Sequence, residues 1–265
     1  MTTMTTFSLH PRCLTPLIVT SILLVSILAA CGKKGPVRPE LAALPAAPTQ
    51  LQIVQQGEDF LVSWTIPTQN EDGNRAEDLL GFHVYRLIYN AAEGCPTCRD
   101  PDELVAALVL AHPDPAVRLG KRIYWRDAAV TPGTGHAYLV VPVTVGGHEG
   151  SGAGTYRAWL RPPPAPTTLQ AEAGDHQVRL TWTPPPALPD GQLLLGYNLY
   201  RRPAGGAFAP IALNSEPLRE PLLTDLVGEA GRAAVYRVTT LVRSGEWLVE
   251  SAPSPEVTVT PQGAH

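Results

Sequence analysis

Phenylalanine and methionine are scarce in this chain of 265 residues, with four of the first and two of the second. Charge is thin as well, at 17% of residues with a net of −4, and no basic block follows residue 38. A nucleic-acid surface needs clustered lysine and arginine, so nucleic acid is not among the expected partners. The chain has no Gly-x-Ser-x-Gly elbow, no His-Glu-x-x-His pair, no phosphate loop with its lysine and no EF-hand spacing. Nothing therefore points to an enzyme, and no cofactor or metal is expected. Its N-terminal apolar run, residues 14–30, is 17 residues long and is diluted by Pro16, Thr20, Ser21 and Ser26. A membrane span needs about 20 apolar residues, which excludes a comfortable one here.

That run has the shape of a secretory signal: a weakly basic start, a short apolar centre and small residues before a cut. Leu28-Ala29-Ala30-Cys31 resembles the bacterial lipobox. The resemblance implies cleavage before Cys31, diacylglycerol on its thiol and acylation of the new amino terminus. Residues 1–30 are then a lipoprotein signal peptide, and the only group attached to the chain is the lipid on Cys31. Two or three acyl chains hold a protein on a membrane almost permanently, where one holds only marginally. Gly32 stands where inner-membrane lipoproteins typically have aspartate, which implies the outer membrane. Residues 31–46 form the tether. Pro36, Pro39 and Pro45 make it extended and semi-rigid. Lys33, Lys34 and Arg38 lie beside the anchor as spacer charges. The string Cys31-Gly32-Lys33-Lys34-Gly35-Pro36 is similar to the start of very small outer-membrane lipoproteins associated with lipopolysaccharide export, but the likeness ends there and carries no function.

What the chain has in quantity is proline and glycine, 28 and 23 residues, with 44% apolar content. This suits many short strands and turns in two domains. The chain also repeats itself. APTQLQIVQQGEDFLVSWTIP from Ala47 aligns without a gap on APTTLQAEAGDHQVRLTWTPP from Ala165. LLGFHVYR from Leu79 matches LLGYNLYR from Leu194, Asp127 falls on Asp225, and Tyr138 on Tyr236. RPPPAP, residues 161–166, joins the copies as a short stiff linker. Phe60, Val62 and Trp64 alternate with Leu61, Ser63 and Thr65, and Val178, Leu180 and Trp182 alternate likewise. Period two puts each first set on one buried face of a strand. Asp72-Gly73 and Asp190-Gly191 mark turns.

In order and spacing these motifs resemble the fibronectin type III family. Pro48/Leu51, Trp64, Gly81 to Tyr85 and Tyr138 supply its pattern once. Pro166/Leu169, Trp182, Gly196 to Tyr200 and Tyr236 supply it again. The implied fold class is all-β, two immunoglobulin-like sandwiches in tandem over residues 47–161 and 162–262. Trp64 and Trp182 are expected in the cores. Tyr138 and Tyr236 are expected in tyrosine corners, each hydroxyl bonded to nearby backbone. Pro142, late in strand F, predicts a bulge or an early strand end. The first copy carries a long insertion, about residues 90–120, in which residues 101–109 read as a short helix or strand.

Cys95-Pro96-Thr97-Cys98 lies in that insertion. In an exported protein a disulfide is the first reading, which would pin a loop too polar to pack. A thiol–disulfide active site and half a metal site are the alternatives. Haem attachment needs histidine where Arg99 stands, and His83, His112 and His136 have no second cysteine pair to complete a zinc site. Glu71, Asp72, Glu77 and Asp78 read as a solvated loop rather than a calcium site, and residues 146–154 as a glycine-rich hairpin loop. The expected role is a membrane-anchored, non-catalytic protein-binding or scaffolding lipoprotein of the bacterial envelope. Its partner is an envelope protein or a glycan. A carbohydrate- or peptidoglycan-binding accessory would use an exposed aromatic such as Trp125 or Trp247.

Overall fold

The computed structural model describes residues 44–226 and 231–262. The signal peptide, Cys31 and the tether up to residue 43 lie outside the described residues. Every regular element described is a strand.

The first copy contains β1 (Thr49–Gln56), β2 (Asp59–Thr65), β3 (Leu79–Asn90), β4 (Glu103–Val109), β5 (Val117–Leu119), β6 (Arg122–Asp127), β7 (Thr134–Thr144) and β8 (Ala153–Ala158). The second contains β9 (Thr167–Gly174), β10 (Gln177–Thr183), β11 (Gln192–Pro203), β12 (Leu222–Leu226), β13 (Ala234–Ser244), β14 (Trp247–Glu250) and β15 (Val257–Val259). In the first, β1-β2-β6-β5 faces β4-β3-β7-β8; in the second, β9-β10-β12 faces β11-β13 with β14 and β15.

Each core sits between its two sheets. Phe60, Val62 and Trp64 pack with Phe82, Val84, Ile123, Trp125, Tyr138 and Val140. Val178, Leu180 and Trp182 pack with Tyr197, Leu199, Tyr236 and Val238. Trp64 meets Phe82 edge-on at 5.4 Å, and Trp182 meets Tyr197 the same way at 5.4 Å. Such a contact adds about 0.5–1.5 kcal/mol to the burial itself. β10 alternates cleanly between buried and exposed, whereas β2 is buried on both faces. Of the outward residues, Ser63 accepts from Arg122 at 2.9 Å, and Leu61 and Ser63 line a cleft shared with Pro210, Ile211 and Ala212 of the second copy.

The Leu-Leu-Gly motif explains a shared irregularity. β3 slips register between Leu79 and Gly81, and β11 between Leu194 and Gly196. Pro142 does not end its strand: it pairs opposite Phe82, and β7 runs on to Thr144. The bulge lies on the partner strand and recurs where the second copy has Thr240, so the proline is not its cause. The glycine serves close approach. A Cβ on Gly81 would lie 1.8 Å from the Leu108 carbonyl oxygen, and one on Gly196 would lie 2.4 Å from that of Leu218. The insertion thus supplies β4 as an added strand beside β3, where the second copy keeps a single bridge, Tyr197 to Leu218.

Candidate functional site: the seam and the repeated tyrosine–glutamate cluster

The repeated Tyr-Arg dipeptides place an arginine inward on each C strand, β3 and β11, whose F-strand neighbours are β7 and β13. Arg86 donates to Asp127 at 3.0 Å, and Tyr138 donates its hydroxyl to the same carboxylate at 2.7 Å. In the second copy Arg201 and Tyr236 both donate to Asp225 at 2.7 Å. The tyrosine hydroxyls therefore end on a carboxylate, not on backbone as the family resemblance implied. Asp127 and Asp225 are buried, and a buried carboxylate must collect donors, so it takes the nearest phenol and guanidinium. Burial first, and then the carboxylate, pushes both phenols far above their ordinary range.

A seam runs between the copies. β1 pairs in parallel with β14, Gln55 opposite Val249 and Gln56 opposite Glu250, so one eight-stranded sheet crosses both sandwiches. In the second copy this edge is met by an isolated bridge from Gln262, beyond β15: His176 N–H donates to Gln262 at 3.1 Å, and Gln262 N–H donates to Gly174 at 3.2 Å. In the first copy a side chain does that work. Gln55 Nε2 donates to the Leu160 carbonyl at 2.6 Å, and Leu160 N–H donates to Gln55 Oε1 at 3.0 Å. The backbone edge is left for β14, and Gly57 N–H donates to the Glu250 carbonyl at 3.0 Å. Ala173 stands in place of Gln55 in the second copy and has no amide to offer.

Arg157, on β8, fastens the same seam. It is 1% exposed and donates to the carbonyls of Ile53 at 3.3 Å and Leu248 at 2.6 Å. Its guanidinium lies over Trp247 at 5.0 Å and Phe60 at 5.9 Å. No carboxylate is among its described hydrogen-bond or ion-pair partners, and burial lowers its pKa to about 10. The cation is held by carbonyl dipoles and ring faces.

Each copy also carries a tyrosine–glutamate cluster on the outer face of its C–F sheet. In the first, Tyr85 donates to Glu149 at 2.6 Å, and the His83 ring nitrogen lies 2.6 Å from the same oxygen. The phenol's hydrogen bond to Glu149 raises the Tyr85 pKa to about 12, and the bonds from Tyr85 and His83 lower that of Glu149. In the second, Glu250 accepts from Asn198 at 2.7 Å, Tyr200 at 2.8 Å and Thr239 at 2.9 Å. Register makes the glutamates equivalent, since Glu149 bridges Val143 and Glu250 pairs with Leu241. Two adjoining clefts of about 270 Å³ each open at the seam. One is lined by Arg126, Arg237 and Thr239, the other by Gln52, Arg122, Tyr124 and Asn198, and Gln56, Tyr200 and Glu250 belong to both.

The remaining candidates fall elsewhere. Cys95 and Cys98 are disulfide-bonded in the exposed loop between β3 and β4. His136 is buried against Phe60 and Tyr138, and Glu71 and Asp72 are occupied by Ser151 and Asn74. Among the described residues no three His, Cys, Asp or Glu side chains gather to hold a metal. Trp125 is 5% exposed, edge-on to Tyr138, and is no surface platform; Trp247 is partly exposed but lies at the seam against Arg157. The sequence reading missed Glu149, Gln55 and Arg157. The signal for Glu149 was the tyrosine repeated in both C strands, followed after each F strand by a glutamate.

Strand order settles the architecture: β1, β2 and β6 face β3, β7 and β8 in the first copy, and β9, β10 and β12 face β11 and β13 with β14 and β15 in the second. Both are two-sheet, immunoglobulin-like β-sandwiches. No protein-family model and no curated protein matches the chain. Among solved structures it is similar to the FN1–FN3 domains of chicken CNTN1, at 13% identity and a TM-score of 0.33, covering 83% of this chain and 69% of that one. It is also similar to the twitchin kinase region from C. elegans, at 27% identity and a TM-score of 0.32 over 38% of this chain. The chain spans 17% of that twitchin chain's length.

Proposed function

We propose that this chain is a bacterial envelope lipoprotein, anchored by lipid on Cys31 to the outer membrane, whose two fibronectin type III sandwiches form one non-catalytic scaffold for another envelope protein. The lipobox-like Leu28-Ala29-Ala30-Cys31 supports the anchor. The seam carries the scaffold reading: sandwiches tied by a shared sheet, by Gln55 and by Arg157 present their outer faces in fixed register. A fold alone does not specify a role, so the reading rests on these surfaces. The test is cross-linking in the native envelope followed by affinity capture, with Cys31→Ser as control and radiolabelled palmitate to follow acylation. The expected result is label on the wild type alone and a specific protein recovered only with it. Label on both forms, or recovery of no protein, overturns the proposal.

A second reading is favoured by the clefts at the seam. Tyr124 and Tyr200 offer ring faces, while Gln52, Gln56, Asn198 and Arg122 offer amide and guanidinium donors of the kind that hold sugar hydroxyls. Binding to peptidoglycan or glycan fragments that is lost in Tyr124→Ala would establish it.

A further inference from the structure

The two tyrosine–glutamate clusters are equivalent in position but not in surroundings. Glu250 is 4% exposed: its backbone lies beside β1, and Gln56 of the first sandwich donates to the Tyr200 hydroxyl at 3.1 Å. Arg126 stands behind, donating to the Gln56 side-chain Oε1 at 2.6 Å. The cluster of the second sandwich is therefore a dock already filled by a strand edge, β1, whose Gln56 amide reaches Tyr200 and is itself held by the Arg126 guanidinium of β6. The Glu149 side chain is 41% exposed, and among the described residues no strand lies on the side of it away from β7.

The faces around the clusters differ in a way that fits this. On the second sandwich the C and F strands turn Asn198, Tyr200 and Arg202 outward beside Arg237 and Thr239. The matching positions on the first are His83, Tyr85 and Leu87 beside Leu139 and Val141, of which Leu87 and Val141 are already covered at 5% exposure each. Tyr89 lies over Gly135, and Leu104 and Tyr156 flank the face at 50% and 46% exposure. An apolar, tyrosine-bearing patch with one held carboxylate at its end has the make-up of a protein interface rather than of a solvated sheet.

We infer that this face of the first sandwich docks the exposed edge strand of another protein. That strand would lie beside His148 and Glu149 as β1 lies beside Val249 and Glu250. It would aim a guanidinium or ammonium, with or without an amide, at Glu149, and its apolar side chains would cover Leu104, Leu139 and Tyr156. A second copy of the chain does not fit. Among the described residues the strand edge that makes this pairing, β1 with Gln56 and the neighbouring Arg126, is spent in the seam; the corresponding end of β9 is closed by Gln262; and Gly174 and Thr224 replace Gln56 and Arg126. Pro45 lies against Gly150, which limits the free edge to the two residues before it.

The inference rests on the scaffold reading and names the class of its partner. The test places a photo-cross-linking phenylalanine at Tyr156, and separately at Tyr124 in the seam cleft, of the full chain in its own cells. From Tyr156 the expected adduct is to one protein, at an edge-strand segment with arginine or lysine within two residues. Loss of a charge pair at an interface predicts that Glu149→Arg lowers its yield about tenfold or more. Glu149 is exposed, so this variant is expected to keep the wild-type melting midpoint, while Asp190→Arg, far from the face, leaves the yield unchanged. An adduct to another copy, to lipid or to glycan, or one indifferent to Glu149→Arg, overturns the inference. Protein adducts from Tyr124 alone overturn it while leaving the scaffold reading standing. Adducts from neither position overturn both.

Discussion

At the scale of single residues, the buried carboxylates govern stability. Asp127 is 3% exposed and accepts from Arg86 and Tyr138. Tyr138→Phe and Tyr236→Phe each remove a hydrogen bond to a charged group, so each is expected to cost about 1.5–3 kcal/mol in urea unfolding. Asp127→Ala leaves Arg86 with Glu103 as its remaining carboxylate but removes the charged acceptor of both Arg86 and Tyr138, so it is expected to cost more than Tyr138→Phe, about 3 kcal/mol or above. His136 sets a pH dependence of opposite origin. It is fully buried, and burial, the leading cause, lowers its pKa below the ordinary 6.5. The unfolded chain takes up a proton near 6.5 and the folded one resists it. Stability is therefore full above that pH and falls as the pH drops towards the depressed folded value. The denaturation midpoint is expected to fall between pH 7 and pH 5 in the wild type and to fall less in His136→Phe. An equal fall in both would show that His136 is not the titrating group.

Two glycines and one amide decide the packing of the strands. Gly81→Ala would drive a methyl into the Leu108 carbonyl, so β4 has to leave β3. Amide exchange should accelerate across Glu103–Val109 while β2 and β6 stay protected. Gln55→Ala removes two hydrogen bonds to Leu160. At about 1 kcal/mol each, the expected loss is about 2 kcal/mol, with faster exchange at Gln56 and Gly57. Much at this scale was legible in the sequence. Alternation located β2, β3, β10 and β11, the Asp-Gly pairs located the turns, and the duplication gave every inference a second instance. The tyrosine corners were half legible: the residues stood out, but their acceptors did not, because Asp127 and Asp225 looked like strand-end surface residues. The seam was not legible at all. Gln55 reads as an ordinary outward polar residue of an edge strand, and its burial depends on a strand about two hundred residues further on. Trp125 misled for the converse reason, since a tryptophan outside the family's motif looks like a surface aromatic until its strand is seen to point inward.

For the whole molecule, the shared sheet predicts how the sandwiches unfold. Tandem sandwiches on a flexible linker would melt separately, but here β1 belongs to both sheets' hydrogen bonding. A single calorimetric transition is expected for the wild type. Arg157→Ala, which empties the seam of its buried guanidinium, should divide it into two; one unchanged peak would show that the seam contributes little to cooperativity. The seam also makes the covalent connection redundant. RPPPAP reads as the joint of the molecule, yet the sheet crosses from copy to copy at β1 and β14 without passing through it. A chain nicked at a protease site engineered into residues 161–166 would therefore remain a single particle in native buffer and come apart only in denaturant, as a non-covalent heterodimer does.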